Sequence, residues 1–215
     1  MLECARENGI PLFKSDQATS TILAEANRWL HEKLASRITM HGILIDIYGE
    51  GVLIMGESGI GKSEAALELI RRGHRLIADD SVEIRKISAK RLLGTAPEVT
   101  RYFIEVRGIG IVDVKQLYGA GAIKEQKRID LVVKLEHYSS DKDKDRLGLE
   151  NEFTEILGIE VPTNIILVRP GRNIAILCEA AAVNFREKKM GYNAAEALAK
   201  RVKESIEKKM KRQQE

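Results

Sequence analysis

The spacing of apolar residues changes character several times along the chain, and each change marks a predicted element. Residues 17–35, QATSTILAEANRWLHEKLA, place Ile22, Ala26, Trp29 and Leu30 at helical intervals and predict an amphipathic helix. From His41 to Met55 the pattern becomes two short β-rich runs around Gly49 and Gly51, HGILIDIYGEGVLIM, which predicts paired strands. Glycines then cluster at 56, 59 and 61, and KSEAALELIRRG follows as a run of helix formers with Gly73 placed to end it. HRLIADD, SVEIRKI and RYFIEVRG are strand-like and end in charge; a helix is predicted over 112–117 and a strand over 129–135. SSDKDKDRLG has the composition of a solvated connection, and TNIILVRPGRN pairs a buried-type strand with a Pro-Gly turn. The remainder is helical: an Ala-rich segment over 174–189, then a second helix opened by Asn193 with Glu196 three residues on. Strands alternating with helices, without an internal repeat, predict an α/β fold.

At 215 residues, with 44% hydrophobic and 31% charged side chains, the chain has material for one domain with extensions or two small ones. No run approaches the ~18 consecutive apolar residues of a membrane helix, and the start MLECARENG carries both signs of charge. A cytosolic protein without a membrane partner is expected. Cys4 and Cys178 are too far apart in sequence for a CxxC metal or redox motif, so both read as plain thiols. The net charge of +3 arises in the C-terminal tail, where residues 200–215 carry seven basic and three acidic side chains. A basic tail on a near-neutral body, with 5% aromatics, gives no basis for nucleic-acid binding.

The candidate chemistry begins at GESGIGKS. Gly56, Glu57, Ser58, Gly59, Ile60, Gly61, Lys62 and Ser63 fit G-x-x-x-x-G-K-[ST] without a mismatch, after an apolar strand and before a helix. The glycines let backbone N–H groups turn inward around a phosphate, the helix adds its positive N-terminal end, and Lys62 can reach the β and γ oxygens. Ser63 is the expected Mg²⁺ ligand. The bland alternative is a glycine turn that caps a helix. Asp79 and Asp80 end the run RLIA, where a strand delivers carboxylates to the rim of a sheet; without the phosphate loop upstream they would read as a turn or a cap. His41, alone, could equally be a structural hydrogen-bonder.

The segment HGILIDIYGEGVLIMGESGIGKSEAALELIRRGHRLIADDSVEI resembles the catalytic domain of HPr kinase/phosphorylase. That bacterial enzyme phosphorylates a seryl hydroxyl on the phosphocarrier protein HPr and removes the phosphate again. The resemblance continues in PEVTRYFIEVRGIGIVDV, DRLG, VRPGRN and EKKMGYNAAEALAKR, and so spans roughly residues 38–202. It implies a phosphate-loop α/β kinase domain of the phosphoenolpyruvate carboxykinase-like type with C-terminal helices, assembled as a homohexamer. It implies that His41 and Lys62 are active-site groups, that residues 56–63 bind the phosphates of ATP, and that Ser63 and Glu105 hold Mg²⁺. Asp80 matches the family's general base, with Asp79 beside it, and Arg146 in DRLG matches an active-site arginine. Glu105 and Arg107, which alone would read as a surface charge pair, become site residues. Residues 167–172, with Arg169, Gly171 and Arg172, match a loop associated with dephosphorylation.

The implied chemistry is phosphoryl transfer from ATP, or from pyrophosphate, to HPr in the control of carbon catabolite repression. Phosphorolysis by inorganic phosphate would return HPr and pyrophosphate, with Asp80 as base in one direction and acid in the other. The implied organisation is a remnant of an N-terminal domain or a linker helix over 1–37, a catalytic domain over 38–190 and a C-terminal helix over 191–215. Residues 1–35 resemble only the last portion of the family's N-terminal domain, so a truncated form is expected. Two other classes share the loop: a small-molecule kinase or carboxykinase-like enzyme, and a non-catalytic nucleotide-binding regulator.

Overall fold

The computed structural model describes residues 2–138 and 152–212, and the chain divides into two compact units, residues 1–35 and 36–215. The first contains α1 (Leu2–Glu7) and α2 (Thr19–Leu34). Helix α2 has the predicted periodicity, and its apolar members Ile22, Trp29 and Leu30 are exposed.

The second unit runs β1 (Arg37–His41), β2 (Ile43–Ile47), β3 (Glu50–Gly56), α3 (Lys62–Arg71), β4 (Arg75–Ala78), β5 (Ser81–Ser88), β6 (Arg91–Thr95), β7 (Phe103–Val106) and β8 (Gly110–Asp113). It continues with α4 (Val114–Tyr118), β9 (Gln126–Arg128), β10 (Leu131–His137), β11 (Glu152–Ile156), β12 (Ile159–Val168), α5 (Ile174–Lys189) and α6 (Ala194–Arg212). A six-stranded sheet of order β11-β12-β10-β3-β2-β4 forms the centre; a four-stranded sheet β1-β5-β6-β9 and the hairpin β7-β8 complete the fold. β10 is parallel to both β3 and β12, whereas β2 runs antiparallel to β3 and to β4. The C-terminal ends of β3, β4, β10 and β12 therefore share one edge of the sheet, where ligands of α/β folds bind.

The central strands are apolar on both faces because both faces are covered. Ile43, Ile45, Ile47, Val52, Ile54, Leu131 and Val133 point to one side, against Ala66, Leu69 and Ile70 of α3 and Ala175, Cys178 and Ala182 of α5. The intervening Leu44, Leu53 and Val132 point to the other, against Val82, Ile84 and Leu92 of the smaller sheet. The small residues of α5 let that helix pack close to the strands. Cys178 is fully buried, and burial pushes its thiol up to about 12, so it behaves as an inert core residue.

The helix predicted over 112–117 begins later than its sequence suggests. Val112 is the buried member of β8, and the helix opens at Val114, where the Asp113 carboxylate accepts the Gln116 N–H at 3.0 Å. The α6 start has the predicted cap: Asn193 accepts from the Ala195 N–H and donates to Glu196 Oε1 at 2.8 Å. Strands β1, β6, β8, β9 and β11 have no counterpart in the sequence reading. The charged connection SSDKDKDRLG lies outside the described residues. Among the described residues, no helix is long and apolar enough to cross a membrane.

Candidate active site

β3 delivers the chain to Gly56 at the sheet edge, and the loop back into α3 is built from glycines because its backbone has to enter the left-handed region. Gly59 has φ +85° and Gly61 has φ +103°, conformations that strain any residue with a Cβ. Ile60 is buried and anchors the loop, while Glu57, Ser58 and Gly59 stay exposed. Lys62, 6% exposed, donates from Nζ to the carbonyls of Gly56 at 2.8 Å and Glu57 at 2.9 Å. Two of its three donors therefore clamp the loop's own entry, and the ammonium sits beside the N-terminal end of α3. Ser63 lies in the first turn of α3.

At the same edge, β4 ends in Asp79 and Asp80. Their environments differ. Asp79 is 6% exposed and accepts the Glu105 N–H on Oδ2 at 2.8 Å. Burial pushes its carboxyl up to about 6, against the lowering by that N–H, and the neighbouring Asp80 charge adds to the rise. Asp80 has a side chain 66% exposed and a left-handed backbone, φ +61°, a conformation Asp tolerates better than most residues. His41 Nδ1 stands 3.0 Å from both Asp80 Oδ1 and the Asp80 carbonyl. Both partners are acceptors, so Nδ1 carries the proton. The next residue, Gly42, closes the corner by donating its N–H to the same carbonyl at 3.4 Å.

One strand joins these two sets. β7 alternates, with Ile104 and Val106 in the core and Phe103 and Glu105 outward. Its backbone is held at Glu105 by Asp79. Two residues on, about 6.6 Å at strand rise, Arg107 donates from Nη2 to Ser58 Oγ at 2.9 Å. The acid pair and the phosphate loop thus grip the same hairpin. The donors offered here to a cation are hard oxygens, the Ser63 hydroxyl and the Glu105 carboxylate, and among the described residues no group of three or more His, Cys, Asp or Glu stands ready to hold a metal.

The loop over 167–172 folds back at the end of β12. The Arg172 N–H reaches the Arg169 carbonyl at 3.2 Å, its Nη1 the Leu167 carbonyl at 3.2 Å, and Gly171 turns the chain at φ +82°. The Arg169 guanidinium lies 3.4 Å over the Tyr138 ring. Ile174, which opens α5, has Cδ1 3.1 Å from where a Cβ on Gly61 would stand, so this loop adjoins the phosphate loop. Arg146 lies outside the described residues. Sequence reasoning named the loop residues, the acid pair, His41, Glu105, Arg107 and the arginines of 167–172, but not Gly42, Tyr138 or Ile174, nor the Asp79–Glu105 and Arg107–Ser58 bonds. Alternation along IEVR, which turns Glu105 and Arg107 to one face, was the available signal.

Comparison with known proteins identifies the family. The model of the HPr Serine kinase C-terminal domain matches residues 32–202. The HPr kinase/phosphorylase of Lachnoclostridium phytofermentans is 59% identical over 97% of this chain and 68% of its own length. That of Caldicellulosiruptor bescii is 55% identical over 95% of this chain and 66% of its own length. The solved structure of the Hpr(Ser) kinase/phosphatase from Coxiella burnetii superposes with a TM-score of 0.66 at 36% identity, covering 75% of this chain and 98% of that one. The chain spans about two thirds of the length of these curated relatives. With its α/β phosphate-loop fold, and with a match that takes in every site residue described above, this chain belongs to the HPr serine kinase family, through that kinase's C-terminal domain.

Proposed function

We propose that this chain transfers the γ-phosphoryl group of ATP to a seryl hydroxyl of HPr, and that it reverses the step by phosphorolysis. The carrying observation is the double attachment of the β7–β8 hairpin: Glu105 to the acid pair and Arg107 to the phosphate loop. A proton acceptor and a phosphate cradle are thereby held at fixed separation, as positioning of attacking and transferring groups requires. The curated names of the relatives, HPr kinase/phosphorylase, support both directions.

In the forward direction the loop amides, the α3 N-terminus and the remaining Lys62 N–H hold the phosphates. Asp80, exposed and oriented by His41, accepts the seryl proton as the oxygen attacks the γ-phosphorus and the bond to ADP breaks. In reverse, an oxygen of inorganic phosphate attacks the phosphorus of phosphoseryl-HPr. The P–O bond to serine breaks, Asp80 returns the proton to that oxygen, and pyrophosphate leaves. Asp79, buried and spent on the Glu105 N–H, positions the hairpin. The oxygen donors Ser63 and Glu105 suit Mg²⁺, which is bound by one or two protein oxygens together with substrate phosphates; bound there, it would neutralise charge on the β and γ oxygens. Arg172 and Arg146 belong to the same proposal as further cations, and Arg169 and Gly171 as parts of the reverse-direction loop. A homohexamer, control of carbon catabolite repression and a cytosolic site of action rest on the family alone. Incubation of the full chain with ATP and HPr, beside a panel of small metabolites, tests the reading: label on HPr serine supports it, label on a metabolite contradicts it.

A further inference from the structure

A line of hydrogen bonds that the mechanism above leaves unused runs between the phosphate-loop helix α3 and the turn before α5. Asn173, the residue after Arg172, uses both ends of its amide: Oδ1 accepts the Ile176 N–H at 3.0 Å and caps α5, and Nδ2 donates to Glu68 Oε1 of α3 at 2.8 Å. A donor on one side and a carboxylate on the other leave the amide one orientation. The same Glu68 oxygen accepts from Arg72, Nη2 at 2.8 Å and Nε at 3.1 Å. Arg72 Nη1 in turn reaches Glu179 Oε2 on α5 at 3.2 Å, and Glu179 Oε1 stands 2.9 Å from Nε2 of the buried His74. The two helices are thus tied at Asn173 and again at Glu179, about 9 Å further along α5 at helical rise. An i,i+4 pair such as Glu68–Arg72 by itself stabilises a helix only slightly; what sets this carboxylate apart is its third donor, which comes from the other helix. Because Asn173 is already fixed as a cap, that bond fixes where the 167–172 turn enters α5. Ile174, with Cδ1 3.1 Å from where a Cβ on Gly61 would stand, braces the same turn at the loop itself.

We propose that Glu68 is a positioning residue of the reaction: through Asn173 it holds the turn that carries Arg172 at a fixed place beside the phosphate loop, and the reverse direction depends on that hold more than the forward one. This rests on the phosphoryl-transfer reading, in which Arg172 is a further cation, and its test separates the two. The forward nucleophile is a neutral seryl hydroxyl. The reverse nucleophile is inorganic phosphate, an anion that has to approach a second anion, phosphoserine, so a cation displaced by about 1 Å costs that direction more. Three variants of the full chain test this: Glu68→Ala, Asn173→Asp and the swap Glu68→Gln/Asn173→Asp. Asp caps α5 as well as Asn does, but it sets a carboxylate against Glu68 and breaks the tie; Glu68→Ala breaks it from the other side and leaves the cap. The swap remakes it with donor and acceptor exchanged and the net charge unchanged. Each single variant should raise the KM for inorganic phosphate in pyrophosphate release from phosphoseryl-HPr at least tenfold, and should weaken phosphate binding by calorimetry as much. Transfer from ATP to HPr should fall less than threefold, and melting should stay within a few degrees of the parent. The swap should return both phosphate readouts to within threefold of the parent. An equal fall in the two directions, phosphate affinity within twofold of the parent in both single variants, or a swap no better than Asn173→Asp overturns the proposal. A parent chain that phosphorylates no HPr, with phosphate binding lost in the single variants and regained in the swap, leaves the tie standing and refutes the phosphoryl-transfer reading instead.

Discussion

Replacing Asp80 by Asn should separate catalysis from folding, and the geometry sets both magnitudes. Asn tolerates the left-handed backbone at φ +61° as Asp does, so the turn after β4 is retained. What is lost from the fold is an ion pair between side chains 51% and 66% exposed, worth about 0.2–1 kcal/mol. For a unit of this size that is a fall of roughly 2–4 °C or less in melting temperature. On the proposed mechanism the reaction, by contrast, loses its proton acceptor in one direction and its donor in the other, an effect of roughly 10²–10⁴ in rate. Asp79→Asn makes the informative partner. Its amide oxygen can still accept the Glu105 N–H, so the hairpin keeps its anchor and the rate should fall less. Initial rates of labelled phosphate transfer to HPr, of pyrophosphate formation from phosphoseryl-HPr, and calorimetric melting check all three statements. Asp80→Asn within tenfold of the parent in either direction refutes the reasoning. Greater damage from Asp79→Asn means that the two carboxylates have exchanged roles.

Lys62→Ala removes the cation that clamps the loop entry and that the proposed mechanism places on the phosphates, and both directions should fall by on the order of 10²–10³ or more while the sheet and its helices persist by circular dichroism. Gly59→Ala should cost about 1–2 kcal/mol, read from urea unfolding, because residue 59 must stay near φ +85°; the new Cβ should also push the Arg107 guanidinium off the loop and lower turnover. Asp46 is buried, which by itself raises its carboxyl, but the Lys124 and Lys127 ammoniums at 2.9 and 3.2 Å hold it below the usual value of 3.8. A depressed native carboxyl stabilises above its unfolded pKa, so this contribution should be complete above about pH 5 and be lost as the pH falls through and below 3.8. Asp46→Asn should flatten that part of the stability–pH profile.

What the sequence disclosed follows the range of the interactions involved. Helix α5 matches its predicted span because an Ala-rich periodic run ends in a basic turn and starts at the cap Asn173, all local signals. GESGIGKS is likewise local: the glycines and the lysine that need one another lie within six residues. Strands β6 and β9 were illegible because Arg91–Thr95 is short and interrupted by Gly94 and Gln126–Arg128 is short and charged, and both become strands by pairing across the sheet, as Leu93 does with Arg128. Val112 misled in the opposite sense, since an apolar residue beside a helix start can equally close a buried strand. The His41–Asp80 pair joins residues 39 apart, and Asp79–Glu105 joins residues 26 apart. No periodicity encodes such pairs; their members were named one by one, and the bonds between them appear only in the folded chain.

The central claim is a reversible phosphoryl transfer between a nucleotide on the phosphate loop and a seryl oxygen held at Asp80. Its most direct test uses the full chain with γ-labelled ATP, magnesium and HPr, followed by removal of nucleotide and addition of inorganic phosphate. Label should first appear on an HPr serine and then leave it as labelled pyrophosphate, with neither step in Asp80→Asn. Label that stays in ATP, passes to water, or leaves HPr as free inorganic phosphate would contradict the account.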